Sequence, residues 1–290
     1  MEIHGKTRVL GIIGWPVGHS LSPPMQNAAI DALGLNYVYV PFPVAPEFLG
    51  AAVEGLRRLG VWGFNVTIPH KTAVIPFLDR ITREAELAGA VNTVYRDGTL
   101  LVGHNTDGIG FLASLRQDLN RDPAGATVLL LGAGGAARGA LAVLAASGAA
   151  RVIIANRTLE RGRALVDRFS ALFGSVRFDV SSLEAGELSR CLRCADILVN
   201  TTSVGMDGTT FDGLSLGEMR PDGAVYDMVY VPAETPLLTA AREHGLACVN
   251  GAGMLAGQGE AAFALWTGHD APRNVMKRKL FEVLSGITKP

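Results

Sequence analysis

Two polar side chains and a lysine lie close together in the segment "GFNVTIPHK". Asn65 and Thr67 are two positions apart in a predicted strand, so their side chains project to the same face. Lys71 follows at the predicted start of a helix, where the positive end of the helix dipole disfavours a cation. The pair of polar side chains on the preceding strand favours a pocket at this lysine, although an ordinary basic surface residue would give the same pattern.

A carboxylate lies further along the sequence, in "VGHNTDG". Asp107 falls at the turn between a predicted strand and the helical pattern "GIGFLASLRQDL". Aspartate is a favoured helix N-cap, and a place in the same pocket is the alternative. His19, His70 and His104 occur near these motifs without the spacing of metal ligands, and we expect no bound metal.

Two hydroxyls stand before a double proline in "HSLSPP". Ser22 is predicted to be the N-cap of a helix over 23–33, with Pro23 at its first position. Because Pro23 and Pro24 lack the backbone N–H, an anion at this helix end would have to bind the hydroxyls of Ser20 and Ser22. These residues alone leave both a simple helix cap and an anion site open.

The segment "VLLLGAGGAARGALAVL" has the glycine spacing of a dinucleotide site. Gly132, Gly134 and Ala137 fit G-x-G-x-x-A between a strand and a helix, where they permit a tight turn, close approach of a pyrophosphate and close helix packing. A second strand, "RVIIA", follows after one helix, as the motif requires. The predicted binding loop comprises Gly132, Ala133, Gly134, Gly135 and Ala136.

The residues after that second strand select the cofactor. A site for NAD usually carries Asp or Glu about 20 residues beyond the first glycine, to hold the ribose 2′-hydroxyl. This chain instead has "NRTLER", with Asn156, Arg157, Thr158 and, one turn later, Arg161. A guanidinium cannot accept a hydrogen bond from a hydroxyl but binds a phosphate well, so we predict NADP. A basic surface turn is the alternative.

Composition limits the kind of partner and the compartment. The formal net charge of −1 gives no reason to expect nucleic acid or an anionic membrane. No apolar run approaches the roughly 18–20 residues that cross a bilayer. Three cysteines, an odd count, favour a reduced protein, and we expect a cytoplasmic location. We expect a small-molecule substrate as the partner and a monomer or homodimer as the assembly.

The elements that must position these residues form two α/β series. In the first hundred residues, short strands alternate with predicted helices over 23–33, 46–59 and 70–78, which favours largely parallel pairing. A second series of strands and helices begins at the glycine loop. The last forty residues predict two helices that return to the first domain. We predict an α/β substrate domain, residues 1–106 and 251–290, and a Rossmann-type NADP-binding domain, residues 107–250.

Eight ordered segments resemble the shikimate dehydrogenase family over essentially the whole chain. They are "GWPVGHSLSP", "NVTIPHK", "GAVNT", "NTDG", "GAGGAAR", "NRT", "YDMVYVPAETPLL" and "GAGMLAGQ". The resemblance implies reversible reduction of 3-dehydroshikimate to shikimate by NADPH, in aromatic amino-acid biosynthesis. It also implies that Lys71 and Asp107 are the catalytic pair, with Lys71 as acid in reduction and base in oxidation.

The resemblance further implies the binding residues. Ser20 and Ser22 would bind the substrate carboxylate. The other implied substrate contacts are Thr67, Asn92, Tyr230 and Gln258, with Asn65 alongside them. The implied NADP contacts are the loop from Gly132 to Ala136, the residues from Asn156 to Arg161, and Met228 and Gly251 near the nicotinamide.

Three other interpretations remain. A quinate/shikimate dehydrogenase of the same superfamily would accept a substrate with an extra ring hydroxyl and often NAD. A ligand-sensing module without catalysis could retain the glycine loop, but would be free to lose Lys71 or Asp107, and both are present. A folate-pathway NADP dehydrogenase shares the broad plan, but "HSLSP" and "NTDG" favour the first family.

Overall fold

A computed structural model describes residues 2–287, which divide into two compact units. One unit contains the chain up to Gly110 together with the residues from Leu255 onward, and the other is Phe111–Met254. Within residues 2–287, no helix has the length and apolarity needed to cross a membrane.

Helices and strands are numbered in chain order. The first series comprises β1 (Arg8–Gly14), α1 (Ser22–Ala32), β2 (Tyr37–Pro43), α2 (Leu49–Arg58), β3 (Gly63–Val66), β4 (Arg80–Ile81), α3 (Arg83–Ala88), β5 (Thr93–Asp97), β6 (Leu100–His104) and α4 (Asp107–Gln117). The second comprises β7 (Thr127–Leu131), α5 (Gly135–Ala146), β8 (Arg151–Ala155), α6 (Leu159–Leu172), β9 (Arg177–Ser181), α7 (Ala185–Cys194), β10 (Ile197–Asn200), β11 (Ala224–Asp227), α8 (Pro236–Glu243) and β12 (Ala247–Asn250). Two helices complete the chain, α9 (Ala252–Thr267) and α10 (Val275–Ile287).

The first sheet is mixed, in the order β2-β1-β3-β5-β6-β4. β1 runs parallel to β2 and β3, and β4 parallel to β6, but β5 is antiparallel to both of its neighbours. The expectation of largely parallel pairing is therefore wrong for this part of the sheet. Gly98, with φ of 60°, is the first residue of the two-residue turn that joins β5 to β6, the position at which a tight hairpin turn favours glycine.

The predicted helix over 70–78 does not form. The segment consists of turns with one short 3₁₀ helix, Ile75–Phe77. Pro76 interrupts the run, and the residue before a proline disfavours the helical conformation. Lys71 therefore lies on a turn rather than at the start of a helix, and Thr67 lies one residue beyond β3.

The start of α1 also differs from the prediction. Leu21 is the N-cap and makes no side-chain cap, whereas Ser22 is the first helical residue. The prediction of Ser22 as the N-cap is wrong. Its hydroxyl does not serve as the cap, and Pro23 and Pro24 instead fix the backbone of the first turn.

The second sheet has six parallel strands in the order β12-β11-β10-β7-β8-β9, which confirms the second series of strands and helices predicted after the glycine loop. Residues 128–131 are completely buried, as expected for a parallel strand covered by helices on both faces. The strand order reverses between β7 and β10. In open parallel sheets, ligands bind at the carboxyl ends of strands at such a reversal.

The C-terminal helices return to the first unit, as predicted, with α9 on the sheet and α10 against α1. The Trp266 indole of α9 donates to the Val94 carbonyl at 2.9 Å, and Trp62 donates to the Trp266 carbonyl at 2.7 Å. A Cβ at Gly63 would lie 2.3 Å from the Trp266 ring, so glycine is required where the indole crosses β3.

Candidate active site

Lys71 and Asp107 are in direct contact in the first unit. Lys71 Nζ lies 2.7 Å from Asp107 Oδ2, and the two side chains are 32% and 22% exposed. The Lys71 carbonyl accepts from the Val91 amide at 2.7 Å, which holds the turn against the sheet. Asp107 begins α4, and its backbone N–H donates to Asn105 Oδ1. An accessible ammonium held by a carboxylate is an arrangement able to exchange protons with a bound molecule.

Asn92 fixes the other oxygen of this carboxylate. Its Nδ2 donates to Asp107 Oδ1 at 2.7 Å and to Thr106 Oγ1 at 2.9 Å. Its Oδ1 accepts from the Thr106 backbone N–H at 2.8 Å, so the amide orientation is fully specified. Thr93 and Thr106 are completely buried and extend the network beneath the carboxylate. In this arrangement Asn92 holds Asp107 in place.

Asn65 lies in the buried floor of the same region. Its Nδ2 donates to the Asn92 carbonyl and to Thr93 Oγ1. Its Oδ1 accepts from the Tyr39 hydroxyl at 2.7 Å. Both amide hydrogens are thus engaged, which leaves only the second lone pair of Oδ1 for a ligand hydroxyl.

The Tyr39 side chain is 1% exposed and lies against the Trp266 ring at a centroid distance of 5.9 Å. Burial raises the pKa of the Tyr39 hydroxyl well above its usual range, while a hydrogen bond with the Ser22 side chain opposes that shift. Tyr39 therefore remains a neutral phenol that joins Ser22 to Asn65.

The serines of "HSLSPP" and two further predicted contacts also belong to the first unit. Ser20 Oγ accepts from the Ser22 N–H at 3.3 Å, which places the two hydroxyl-bearing residues side by side. Thr67 approaches the end of β1 closely, since a Cβ at Gly14 would lie 2.4 Å from its methyl group. Gln258 is 8% exposed in α9 and donates to the Leu255 carbonyl.

The glycine loop of the second unit follows β7. Gly132 has φ of 106°, and a Cβ there would lie 2.7 Å from Thr202 Cγ2 and 2.8 Å from Thr201 Oγ1, so only glycine fits. Gly134 is the N-cap of α5, and a Cβ at this position would have no heavy atom within 4 Å. This open backbone at a helix N-terminus suits a pyrophosphate.

A cavity of about 550 Å³ opens beside this loop. Asn156 and Arg157 line it at the end of β8, while Asn156 also donates to the Thr158 carbonyl and so shapes the turn. Thr158 and Arg161 are located on the same turn and the first turn of α6, outside the cavity wall. The remaining lining residues are Gly132, Leu183, Leu188, Thr202, Ser203, Val204, Thr210, Phe211 and Asp212.

Met228 and Gly251 meet at the ends of β11 and β12. A Cβ at Gly251 would lie 2.2 Å from the Met228 carbonyl oxygen, so this contact also requires glycine. Tyr230 follows on the next loop, and burial raises the pKa of its hydroxyl. These three residues belong to the second unit.

Several residues of these sites were missed from the sequence. Tyr39, Thr93 and Thr106 act through contacts between separate segments of the chain, which no local pattern marks. Residues 202–204, which line the cavity, could have been predicted from the sequence, because they follow β10 closely at the strand reversal. Among residues 2–287, no group of three or more His, Cys, Asp or Glu side chains could hold a metal ion.

A six-stranded parallel unit with a glycine loop, in a chain whose other unit carries a lysine–carboxylate pair, defines a dehydrogenase that uses a nicotinamide dinucleotide. The shikimate dehydrogenase substrate-binding domain matches residues 12–94, the shikimate/quinate 5-dehydrogenase model matches 114–206, and the shikimate 5′-dehydrogenase C-terminal domain matches 251–281. The chain belongs to the shikimate dehydrogenase family, as the eight sequence segments predicted.

Individual relatives agree with this assignment. The chain is 59% identical to a shikimate dehydrogenase (NADP(+)) of Geobacter metallireducens, over 98% of this chain and 99% of the relative. A crystal structure of a shikimate dehydrogenase in complex with NADP+ is 39% identical, with a TM-score of 0.88 and 98% of each chain covered. A quinate dehydrogenase from Corynebacterium glutamicum in complex with NAD is 30% identical, with a TM-score of 0.86, over 95% of this chain and 99% of the other.

Proposed function

We propose that this chain catalyses the reversible NADPH-dependent reduction of 3-dehydroshikimate to shikimate, a step toward the aromatic amino acids. The relative with 59% identity is named for this activity. The observation that carries the proposal is the 2.7 Å contact of Lys71 with Asp107, inside the unit that contains the match to the substrate-binding domain.

Lys71 is the proton donor and acceptor in this proposal. Bound NADPH supplies the hydride that reduces the ring ketone. In that direction Lys71 Nζ protonates the oxygen that becomes the hydroxyl, and in the oxidative direction it removes that proton. Asp107 holds the ammonium at 2.7 Å and offers an acceptor to a neighbouring substrate hydroxyl, while Asn92 keeps the carboxylate from turning.

The substrate carboxylate binds the hydroxyls of Ser20 and Ser22 in this proposal. The prolines after Ser22 remove two backbone donors from the first turn of α1, so side-chain hydroxyls are the available donors there. Thr67, Gln258 and Tyr230 are proposed to contact the ring hydroxyls. Asn65 can add only an acceptor, because both of its amide hydrogens are engaged.

The cofactor is NADP, since the family relative with 59% identity is named for NADP(+). The second unit fits this dinucleotide, because the Gly132 loop and the α5 N-terminus leave room for a pyrophosphate beside a cavity of about 550 Å³. We propose that Arg157, with Arg161 and Thr158, binds the 2′-phosphate. The rest of the predicted set, Gly132 to Ala136, Asn156, Met228 and Gly251, lies along the same strand ends.

Quinate oxidation with NAD is the second candidate, supported by the likeness to a quinate dehydrogenase in complex with NAD. Arg157 in place of an acidic residue at the end of β8 argues against NAD as the preferred cofactor. We also propose a cytoplasmic location, from the cysteine count, and either a monomer or a homodimer. We further propose that residues 1–106 and 251–290 form the substrate-binding domain and that residues 107–250 form the NADP-binding domain.

Replacing Lys71 with alanine tests the proposed chemistry. We expect Lys71→Ala to lower kcat for NADP+-dependent shikimate oxidation by about 10²–10⁴-fold, the usual range for a lost general acid or base, with the NADPH dissociation constant nearly unchanged. Lys279→Ala is the control, because Lys279 forms a surface ion pair with Glu282 at 3.1 Å and is not among the proposed site residues. If Lys71→Ala keeps kcat within a few-fold of the unmodified protein, Lys71 does not carry the proton transfer.

A further inference from the structure

Asp227 is a completely buried carboxylate at the end of β11 that the proposed chemistry does not use. Its Oδ1 accepts from Asn200 Nδ2 at 2.8 Å and from the Val229 N–H at 3.0 Å. Its Oδ2 accepts from the Thr235 hydroxyl at 2.6 Å. Burial raises the pKa of this carboxyl, and the three hydrogen bonds oppose that shift. All three donors are neutral, so the carboxylate is buried at a cost in stability that no cation offsets at these contacts.

On one side, the hydrogen bonds of Asp227 hold a wall of the cavity beside the glycine loop. Asn200, which ends β10, accepts from the Thr202 N–H at 2.9 Å and from its hydroxyl at 2.7 Å. The Asn200 amide that reaches Asp227 also donates to the Val204 carbonyl at 3.0 Å. Thr202 and Val204 both line the cavity, and Thr202 is a residue that packs against Gly132. Asp227 therefore orients the amide that shapes this wall.

On the other side, the hydrogen bonds of Asp227 hold the loop after β11. Val229 and Thr235 lie near the two ends of the segment 228–235, which carries Met228 and Tyr230. Thr235 is also the N-cap of α8 and accepts from the Leu238 N–H. The two oxygens of Asp227 thus fix the beginning and the end of this loop at once.

We propose that Asp227 is a positioning residue that holds the cavity wall at 202–204 and the loop at 228–235 in register with each other. The identity of the ligand rests on the function proposed above, whereas the register rests on the hydrogen bonds of Asp227 and Asn200. Asparagine at position 227 has one acceptor oxygen instead of two, so it cannot accept from all three donors. The wall, the loop or both then lose their fixed position.

The test is Asp227→Asn, measured by NADPH titration, steady-state kinetics and thermal unfolding. We expect the NADPH dissociation constant to rise about tenfold, with kcat at saturating substrates within about threefold of the unmodified protein. Asp196→Asn is the matched control. Asp196 precedes β10 at the opposite end of the same sheet, where it accepts from the Thr127 N–H at 2.8 Å and from Arg220. It should lower the melting temperature and leave NADPH binding within about twofold.

A milder pair of variants covers the case in which Asp227→Asn does not fold. Thr235→Val removes one donor to Asp227 and should weaken NADPH binding by about two- to fivefold, whereas Thr235→Ser keeps the hydroxyl and should restore it. Unchanged NADPH affinity in Asp227→Asn or in Thr235→Val overturns the proposal, as does an equal loss in Asp196→Asn. If the unmodified protein itself does not bind NADPH, the proposed function fails instead.

Discussion

Ser20 and Ser22 show how a few residues at one helix end set what that end can bind. The prolines at the second and third positions of α1 carry no N–H, so the first turn has fewer backbone donors than an ordinary helix start. Ser22 is buried and Ser20 half-buried, and the backbone of one binds the side chain of the other. Hydroxyl donors are therefore concentrated where backbone donors have been removed.

We expect Ser20→Ala and Ser22→Ala each to raise the KM for shikimate, because each removes a proposed hydrogen bond to the substrate carboxylate, and such a bond is worth roughly 1–3 kcal/mol. The kcat should change far less, since neither hydroxyl transfers a proton. The measurement is initial-rate kinetics at saturating NADP+. Ser285→Ala, on the exposed face of α10, is the control. An unaltered KM in both serine variants would mean that the hydroxyls do not bind the substrate carboxylate.

Arg157 is the single residue on which the proposed preference for NADPH mainly depends. A charge-assisted contact with the 2′-phosphate contributes roughly 1.5–3 kcal/mol. Arg157→Ala should therefore weaken NADPH binding by about 10–150-fold and change NADH binding much less. Arg163→Ala removes a similar charge two residues after Arg161, where Arg163 pairs with Glu160, and should leave both affinities unchanged. Equal losses for NADPH and NADH in Arg157→Ala would identify Arg157 as structural.

At the scale of elements, the starts of α1 and α8 give a direct comparison of two helix ends. The Thr235 side chain accepts from the Leu238 N–H as a true cap, whereas α1 begins without any side-chain cap. Thr235→Ala removes both this cap and the hydrogen bond to Asp227, so it should lower the free energy of unfolding by about 2 kcal/mol or more. Ser22→Ala removes no cap but does remove the hydrogen bond with the Tyr39 hydroxyl, so it should lower the free energy of unfolding by about 1 kcal/mol. Urea unfolding measures both changes. A loss for Ser22→Ala greater than that for Thr235→Ala would contradict this difference between the two helix ends.

The sequence predicted elements well where apolar runs were clear and failed where they were short or interrupted. In the second sheet, β7 and β8 follow the apolar runs "TVLLL" and "RVIIA". The helix over 70–78 did not form, because Pro76 breaks a pattern that otherwise looks amphipathic. β4 has two residues and α3 six, so neither contains enough positions to show a period.

At the scale of the whole molecule, the sequence indicated which residues could do chemistry but not what holds them. The Tyr39–Asn65 bond joins strands 26 residues apart in the chain, and the Asn92–Asp107 bond spans 15 residues. Such contacts depend on strand order and register, which composition and spacing do not encode. For the same reason the role of Asp227 could not be predicted from the sequence, because its hydrogen-bond partners lie on β10 and at the start of α8.

An absorbance assay of the purified protein, with shikimate or quinate each paired with NADP+ or NAD+, decides whether the proposed reaction takes place. We expect shikimate with NADP+ to give the highest kcat/KM, and replacement of NADP+ by NAD+ to lower it by about 10-fold or more, since NAD+ lacks the phosphate that Arg157 is proposed to bind. A higher kcat/KM for quinate with NAD+, or no turnover of shikimate with NADP+, would contradict the proposed function.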